Sequence, residues 1–223
     1  MRPQDLRFTH VVKNAGFLEQ QILYVPRRGE REGLFNLSIV KGFPQEQPLA
    51  IEYCSGNGDW VVEQARQNPH RNWIAVERKL DRVRKIWSKR ENAGLHNLLI
   101  VWGEAFLFTQ HYLTEGVSEE VYINFPDPWP KNRHVKNRLI GEPFFRELER
   151  VLRDQGRLIV VTDEILCGQA AVKAISQAPT FEYVFPAPYY QLERPGYGSS
   201  YFEILWKREG KIIFYYEFVK KCL

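Results

Sequence analysis

The sequence predicts an α/β fold in which a mostly parallel sheet is flanked by helices on both faces. Three observations carry it. Short apolar runs alternate with stretches of helical periodicity from Pro48 onward, acidic residues recur where those runs end, and 223 residues suffice for one substantial core. Residues 1–47 stand apart. Pro3, Pro26, Gly29, Gly33, Gly42 and Pro44 interrupt them, Arg27, Arg28 and Arg31 add charge, and no period is sustained. They read as an irregular N-terminal arm, with residues 48–223 forming the single main domain.

Five runs supply the expected parallel strands: Leu49–Tyr53, Trp73–Val76, Leu98–Trp102, Val121–Phe125 and Arg157–Val161. Between the second and third, Leu80, Val83, Ile86 and Trp87 recur at helical spacing until Asn92-Ala93-Gly94 ends the pattern. Phe144, Phe145, Leu148 and Leu152 make a second stripe ending near Gly156, and a third helix is expected from about Ile165 to Gln177. Phe202–Lys207 and Lys211–Phe218, separated by Arg208-Glu209-Gly210, read as an antiparallel C-terminal hairpin that brings the sheet to seven strands.

Composition narrows the class. Apolar residues at 44% and charged residues at 26% exclude a disordered chain, and a formal charge of +4 permits an anionic partner without demanding one. Cys54, Cys167 and Cys222 are odd in number and show no C-x-x-C spacing, so neither a disulfide framework nor a zinc knuckle is suggested. No apolar run approaches the ~20 residues of a membrane span, and the first residues lack the apolar core of a signal peptide. A cytoplasmic protein is expected.

In an open α/β sheet the ligand binds beyond the carboxyl ends of the strands. Glu52 lies at the first such end, with Gly56 and Gly58 in the following turn; Glu77 ends the second, Glu104 follows the third, Asp127 the fourth and Asp163 the fifth. One carboxylate at a strand end is as well explained by the dipole of the helix that follows it. Recurrence at five ends favours a ligand. The interval from Gly58 to Glu77 is close to the roughly 20 residues that place an acid on a nucleoside ribose. Val61 stands where a third glycine would let pyrophosphate approach a helix N-terminus, and an acid-lined pocket repels phosphates. A cationic sulfonium nucleoside, S-adenosyl-L-methionine, suits it better.

The most specific stretch is NFPDPWPKNRHVKNRLI, Asn124 to Ile140. Its three prolines can hold the Asp127 carboxylate and the Trp129 indole in fixed positions, although burial is the commoner fate of a tryptophan. Arg133, His134, Lys136 and Arg138 follow, offering charges for phosphates. The run resembles that of the bacterial single-subunit tRNA (guanine-N7)-methyltransferases, whose hallmark is N-F-P-D-P-W-P-K before a basic H-x-K segment. Further matches run in order through Glu52 with Gly56-x-Gly58, Val76-Glu77, Val160-Val-Thr-Asp163, Arg194-Pro195 and Ser200-Tyr-Phe-Glu203.

The resemblance implies a class I S-adenosylmethionine-dependent, Rossmann-like fold and methyl transfer to N7 of the variable-loop guanine of tRNA. It implies cofactor contacts at Glu52, Gly56, Gly58, Glu77, Glu104 and Asp127, and substrate contacts at Lys131, Asp163, Ser200, Tyr201, Phe202 and Glu203. Arg133, His134, Lys136 and Arg138 would lie along the tRNA. Guanine N7 carries an in-plane lone pair and no proton, so in-line displacement needs no general base. Asp127 is the expected catalytic residue, a carboxylate beside a ring that becomes cationic. Asp163 or Glu203 would accept from the guanine N1–H and amine, and Trp129 or Tyr201 would stack on the base. No metal is called for, and oligomeric state is left open.

Two alternatives are weighed. Amino-group methyltransferases carry an acid or amide before Pro-Pro-aromatic, and here the aromatic and second proline are exchanged. A non-catalytic tRNA-binding protein would account for a degenerate cofactor loop, since Tyr53 and Cys54 depart from the usual E-[IV]-G-C-G-x-G. Glu104 replaces a commoner Asp or Asn, Ser200 a commoner Thr, and Asn132 and Asn137 stand where basic residues are frequent. Cys54 can replace glycine cheaply only if its φ is negative.

Overall fold

The structure, a computed structural model, describes residues 1–8, 16–26, 42–127, 139–177 and 180–222. The chain divides into two compact units, Met1–Leu113 and Thr114–Leu223.

In the first unit, β1 (Phe17–Glu19) and β2 (Ile22–Tyr24) pair antiparallel inside the arm expected to be irregular. Strands of three residues are too short to show a period, which is why the sequence conceals them. What fixes them is Arg90. Its side chain is 1% exposed, and its guanidinium donates to the carbonyls of Gln20 at 2.7 Å and Gln21 at 3.1 Å. The expected strands follow as β3 (Leu49–Tyr53), β4 (Asn72–Glu77) and β5 (Leu98–Trp102), in the order β1-β2-β5-β4-β3, with β2–β5, β4–β5 and β3–β4 parallel. Every residue of β3 and β4 is buried, so each reads as a continuous apolar run rather than an alternation. Among the described residues, three α-helices complete the unit: α1 (Asp59–Gln67), α2 (Leu80–Asn92) and α3 (Ala105–Tyr112). Val83, Ile86 and Trp87 of α2 are buried as their spacing predicts, and the Trp60 and Trp73 rings meet edge to face at 5.7 Å.

In the second unit, β6 (Ser118–Asn124) runs parallel to β7 (Leu152–Thr162), pairing Asn124 with Val161. Between them α4 (Glu142–Val151) buries Phe144, Phe145 and Leu148. The strand begins at Leu152, earlier than the expected Arg157. Gln155 at φ 60 and a register shift between Ser118 and Glu120 absorb a local irregularity, so the polar stretch Arg153–Gln155 continues the strand. Next come α5 (Ile165–Ser176), β8 (Phe181–Tyr183), α6 (Tyr201–Arg208) and β9 (Phe214–Lys220), with the order β6-β7-β9-β8.

The antiparallel C-terminal end is present, but its composition differs from the expected hairpin. β9 pairs antiparallel with β7 and β8, and the segment Phe202–Lys207 is helical. A capping box decides it. Glu203 N–H donates to Ser200 Oγ at 3.0 Å, and Ser200 N–H donates back to Glu203 Oε2 at 3.3 Å. A short apolar run suits either helix or strand, and here the N-terminal cap tips the balance.

Candidate active site

In the first unit, Glu52, Glu77 and Glu104 stand at the carboxyl ends of three adjacent parallel strands. Glu52 pairs with Ala75, and Glu77 lies two residues beyond it, so both carboxylates leave the same face of the sheet. Glu52 is 2% exposed and Glu77 is 6% exposed, whereas Glu104, the N-cap of α3, is exposed.

The turn between β3 and α1 is built around Glu77. Gly56 N–H donates to Glu77 Oε2 at 3.0 Å and Lys79 N–H to Oε1 at 2.8 Å, so this carboxylate ties the glycine turn to the start of α2. A guanidinium nitrogen of Arg82 approaches it at 3.6 Å. Gly56 has φ 56 and Gly58 has φ 78, and a Cβ on Gly58 would lie 2.7 Å from Ile86 Cγ1. Backbone and space therefore both require glycine at 58, and the backbone favours it at 56. Cys54 also has positive φ, at 63, so the cysteine holds a conformation that favours glycine. Behind the turn, Lys89 donates to the Asn57 carbonyl at 3.0 Å and pairs with Asp59. Lys85 reaches Asn57 Oδ1 at 3.3 Å. Two lysines of α2 thus hold the loop.

These acceptors fit S-adenosyl-L-methionine, the cofactor that the sequence resemblance implies. Ionised carboxylates are acceptors only, with about four lone-pair sites each, matching an ammonium and two ribose hydroxyls. Glu77 keeps acceptor capacity after its two backbone bonds.

In the second unit, Asn124 ends β6 with 3% exposure, and Phe125 turns the chain at φ 47 while its N–H donates to Val161 O at 2.8 Å. A bulky residue at positive φ directly before proline is a costly conformation of the kind concentrated at functional sites. Pro126 is buried and Asp127 is exposed. The Phe125 ring meets Phe202 at 6.1 Å, which brings the Asn124–Asp127 segment and the start of α6 together.

Asp163, just past β7, is ion-paired with Lys211 at 2.6 Å. Tyr201 is 50% exposed, but Ser200 and Glu203 are buried. Besides capping α6, the Glu203 carboxylate accepts from Lys207 Nζ at 2.6 Å and from Tyr215 Oη at 2.7 Å. Burial and the Glu203 contact both push the Tyr215 phenol up. Of the two carboxylates considered for the guanine edge, Glu203 is therefore committed to its helix and core. Arg194 pairs with the buried Glu217 at 3.0 Å and sits over the Tyr122 ring, a structural use of the Arg194-Pro195 pair. Trp129, Lys131, Arg133, His134, Lys136 and Arg138 lie outside the described residues. Sequence reading missed Trp206 and Lys211. The Ser200-x-x-Glu203 pattern was the available signal, since it makes the segment a helix whose last turn carries Trp206, with Lys211 just beyond it.

Residues 46–216 match a family model described as a putative methyltransferase. A tRNA (guanine-N(7)-)-methyltransferase of Chlamydia abortus is 45% identical over 227 aligned positions, covering 99% of each chain. One of Chlamydia felis is 45% identical over 225, covering 99% of this chain and 98% of its own. Among solved structures, the antibiotic-resistance methyltransferase Kmr superposes with a TM-score of 0.56 at 17% identity, covering 82% of this chain and 90% of that one. That likeness establishes the class I, Rossmann-like fold. With near full-length identity to both chlamydial proteins, the chain belongs to the tRNA (guanine-N7)-methyltransferase family.

Proposed function

We propose that the protein methylates N7 of a guanine in the variable loop of tRNA, using S-adenosyl-L-methionine, with residues 48–223 acting as the methyltransferase domain. The observation that carries it is the run of carboxylates on adjacent strand ends beside a glycine turn that lacks a third glycine for pyrophosphate. When bound, the cofactor supplies an electrophilic methyl group on sulfonium, displaced in line by the N7 lone pair as the carbon–sulfur bond breaks.

The chain's share is placement and electrostatics. Glu52, Glu77 and Glu104 would hold the cofactor, Glu77 by accepting from its ribose hydroxyls, while Gly56 and Gly58 would let the backbone come close. Asp127 stabilises the positive charge that the purine ring acquires, and no residue has to remove a proton. Asp163 holds the guanine edge. Lys131, Arg133, His134, Lys136 and Arg138 meet tRNA phosphates and set register without reading sequence. Tyr201, half exposed at the start of α6, faces the substrate. Among the described residues no helix is long and apolar enough to cross a membrane, and we place the protein in the cytoplasm with its tRNA.

Incubation with labelled S-adenosylmethionine and unmodified tRNA, followed by cleavage at 7-methylguanine, tests the reading. Label at a variable-loop guanine N7 is expected. Label on an exocyclic amine, or none, overturns it.

A further inference from the structure

Lys211 is held in an unusual way for a surface lysine. Its Nζ donates to Asp163 Oδ2 at 2.6 Å and lies 3.7 Å from the centroid of the Trp206 ring. The carboxylate holds this ammonium above its ordinary range, so it is charged wherever the enzyme works. A carboxylate and an aromatic face therefore converge on one cation.

Those two contacts are also the contacts of a stacked purine. Rings at van der Waals separation lie ~3.5–4.0 Å apart, and a ring N–H reaches a carboxylate at about 2.7–3.2 Å. Lys211 Nζ thus stands where one N–H nitrogen of a base lying on Trp206 would stand. We infer that the Trp206 face and the Asp163 carboxylate form the receptor for the target guanine, and that Lys211 is a resident cation which the base displaces. The inference rests on the proposed substrate.

The chemistry selects guanine. Its N1–H and exocyclic amine are two parallel donors for one carboxylate, whereas adenine presents an acceptor at N1 and is repelled. Methylation then makes the ring cationic, and both a π-face and a carboxylate hold a cation more strongly than a neutral ring. The receptor accordingly stabilises the transition state more than the ground state, which is what accelerates a reaction. Asp163 is 11% exposed and would not be left bare by the exchange, because the two donors of the guanine edge replace the single bond from Lys211, which at 38% exposure can return to solvent.

Steady-state methylation of tRNA by wild type, Trp206→Phe, Trp206→Ala and Lys211→Met, each at several salt concentrations, tests this. Trp206→Phe retains most activity, while Trp206→Ala loses roughly tenfold or more in kcat/KM, the usual worth of one stacked base. Lys211→Met lowers KM for tRNA several-fold with the salt slope unchanged. Were Lys211 instead a phosphate contact, its loss would raise KM and reduce the slope by about one, and that result overturns the inference. So does an unchanged kcat/KM in Trp206→Ala, or an unchanged KM in Lys211→Met. Lys211→Met and Trp206→Phe stand as tests even if Trp206→Ala folds poorly. Failure of wild type to methylate guanine N7 would reject the proposed substrate, a result separate from any variant's behaviour.

Discussion

Cys54 sets the residue scale, because one backbone angle decides whether its turn is relaxed or strained. At φ 63 its Cβ crowds the following carbonyl, at a cost of about 1–2 kcal/mol relative to glycine. Glycine would give back ~0.5–1 kcal/mol through the greater freedom of the unfolded chain. The first effect is the larger, so Cys54→Gly should stabilise the protein by about 0.5 kcal/mol and raise its thermal midpoint by roughly 1–2 °C. A lowered midpoint in a thermal melt would refute this. Gly58 sits four residues on with φ 78, yet behaves oppositely. Alanine there adds strain and drives a methyl toward Ile86 Cγ1, 2.7 Å away, so Gly58→Ala should destabilise by about 2 kcal/mol. Titration calorimetry with S-adenosylmethionine should show weaker binding as the turn is forced away from Glu77. The cost is read from a urea midpoint.

At the scale of elements, α5 packs closely against β9. A Cβ on Gly168 would lie 2.1 Å from ring atoms of Tyr216, and both the helix backbone and the buried ring would have to move. Gly168→Ala gains about 1 kcal/mol of helix propensity but should still destabilise by roughly 2 kcal/mol, since overpacking of a filled interface outweighs it. Equilibrium unfolding decides the sign, and a stabilised variant would mean that helix and strand are less tightly apposed. This glycine also shows why parts of the fold were legible in sequence and others were not. Strands β3, β4 and β5 are buried almost throughout, so hydropathy alone marks them. The carboxylates at their ends could be found by counting from each run. A short helix such as α6 carries an apolar run that either periodicity accommodates, and only Ser200 with Glu203 distinguishes them. β1 and β2 depend on Arg90, distant in sequence, which no local pattern announces. The Asp163–Lys211–Trp206 cluster required the helical reading first, because only then do the last turn of α6 and the end of β7 present those side chains together.

For the whole molecule, pH acts on both units through groups that burial and ion pairing shift. In Thr114–Leu223, burial alone would push the Glu217 carboxyl up, but the Arg194 and Arg157 guanidiniums outweigh it and bring it below its ordinary 4.5. A group whose folded value is depressed contributes stability above the unfolded value and loses it as pH falls through the folded one. Glu217 therefore contributes to an acid limb in this unit. At the alkaline end, burial pushes the phenols of Tyr112 in Met1–Leu113 and Tyr216 in Thr114–Leu223 from 10.0 up to about 12. An acid held neutral by folding contributes stability below pH 10.0 that is lost as pH rises toward 12, so both units should weaken there. Tyr216→Phe isolates the effect, because the buried Tyr216 hydroxyl has no hydrogen-bond partner among the described residues. Its removal should be neutral or stabilising by up to about 1 kcal/mol near neutral pH, since no bond is lost and a desolvated polar group is removed. Denaturant midpoints taken from pH 8 to pH 11 should then fall less steeply for Tyr216→Phe than for wild type. Parallel curves would show that this phenol ionises as readily in the folded chain as in the unfolded one.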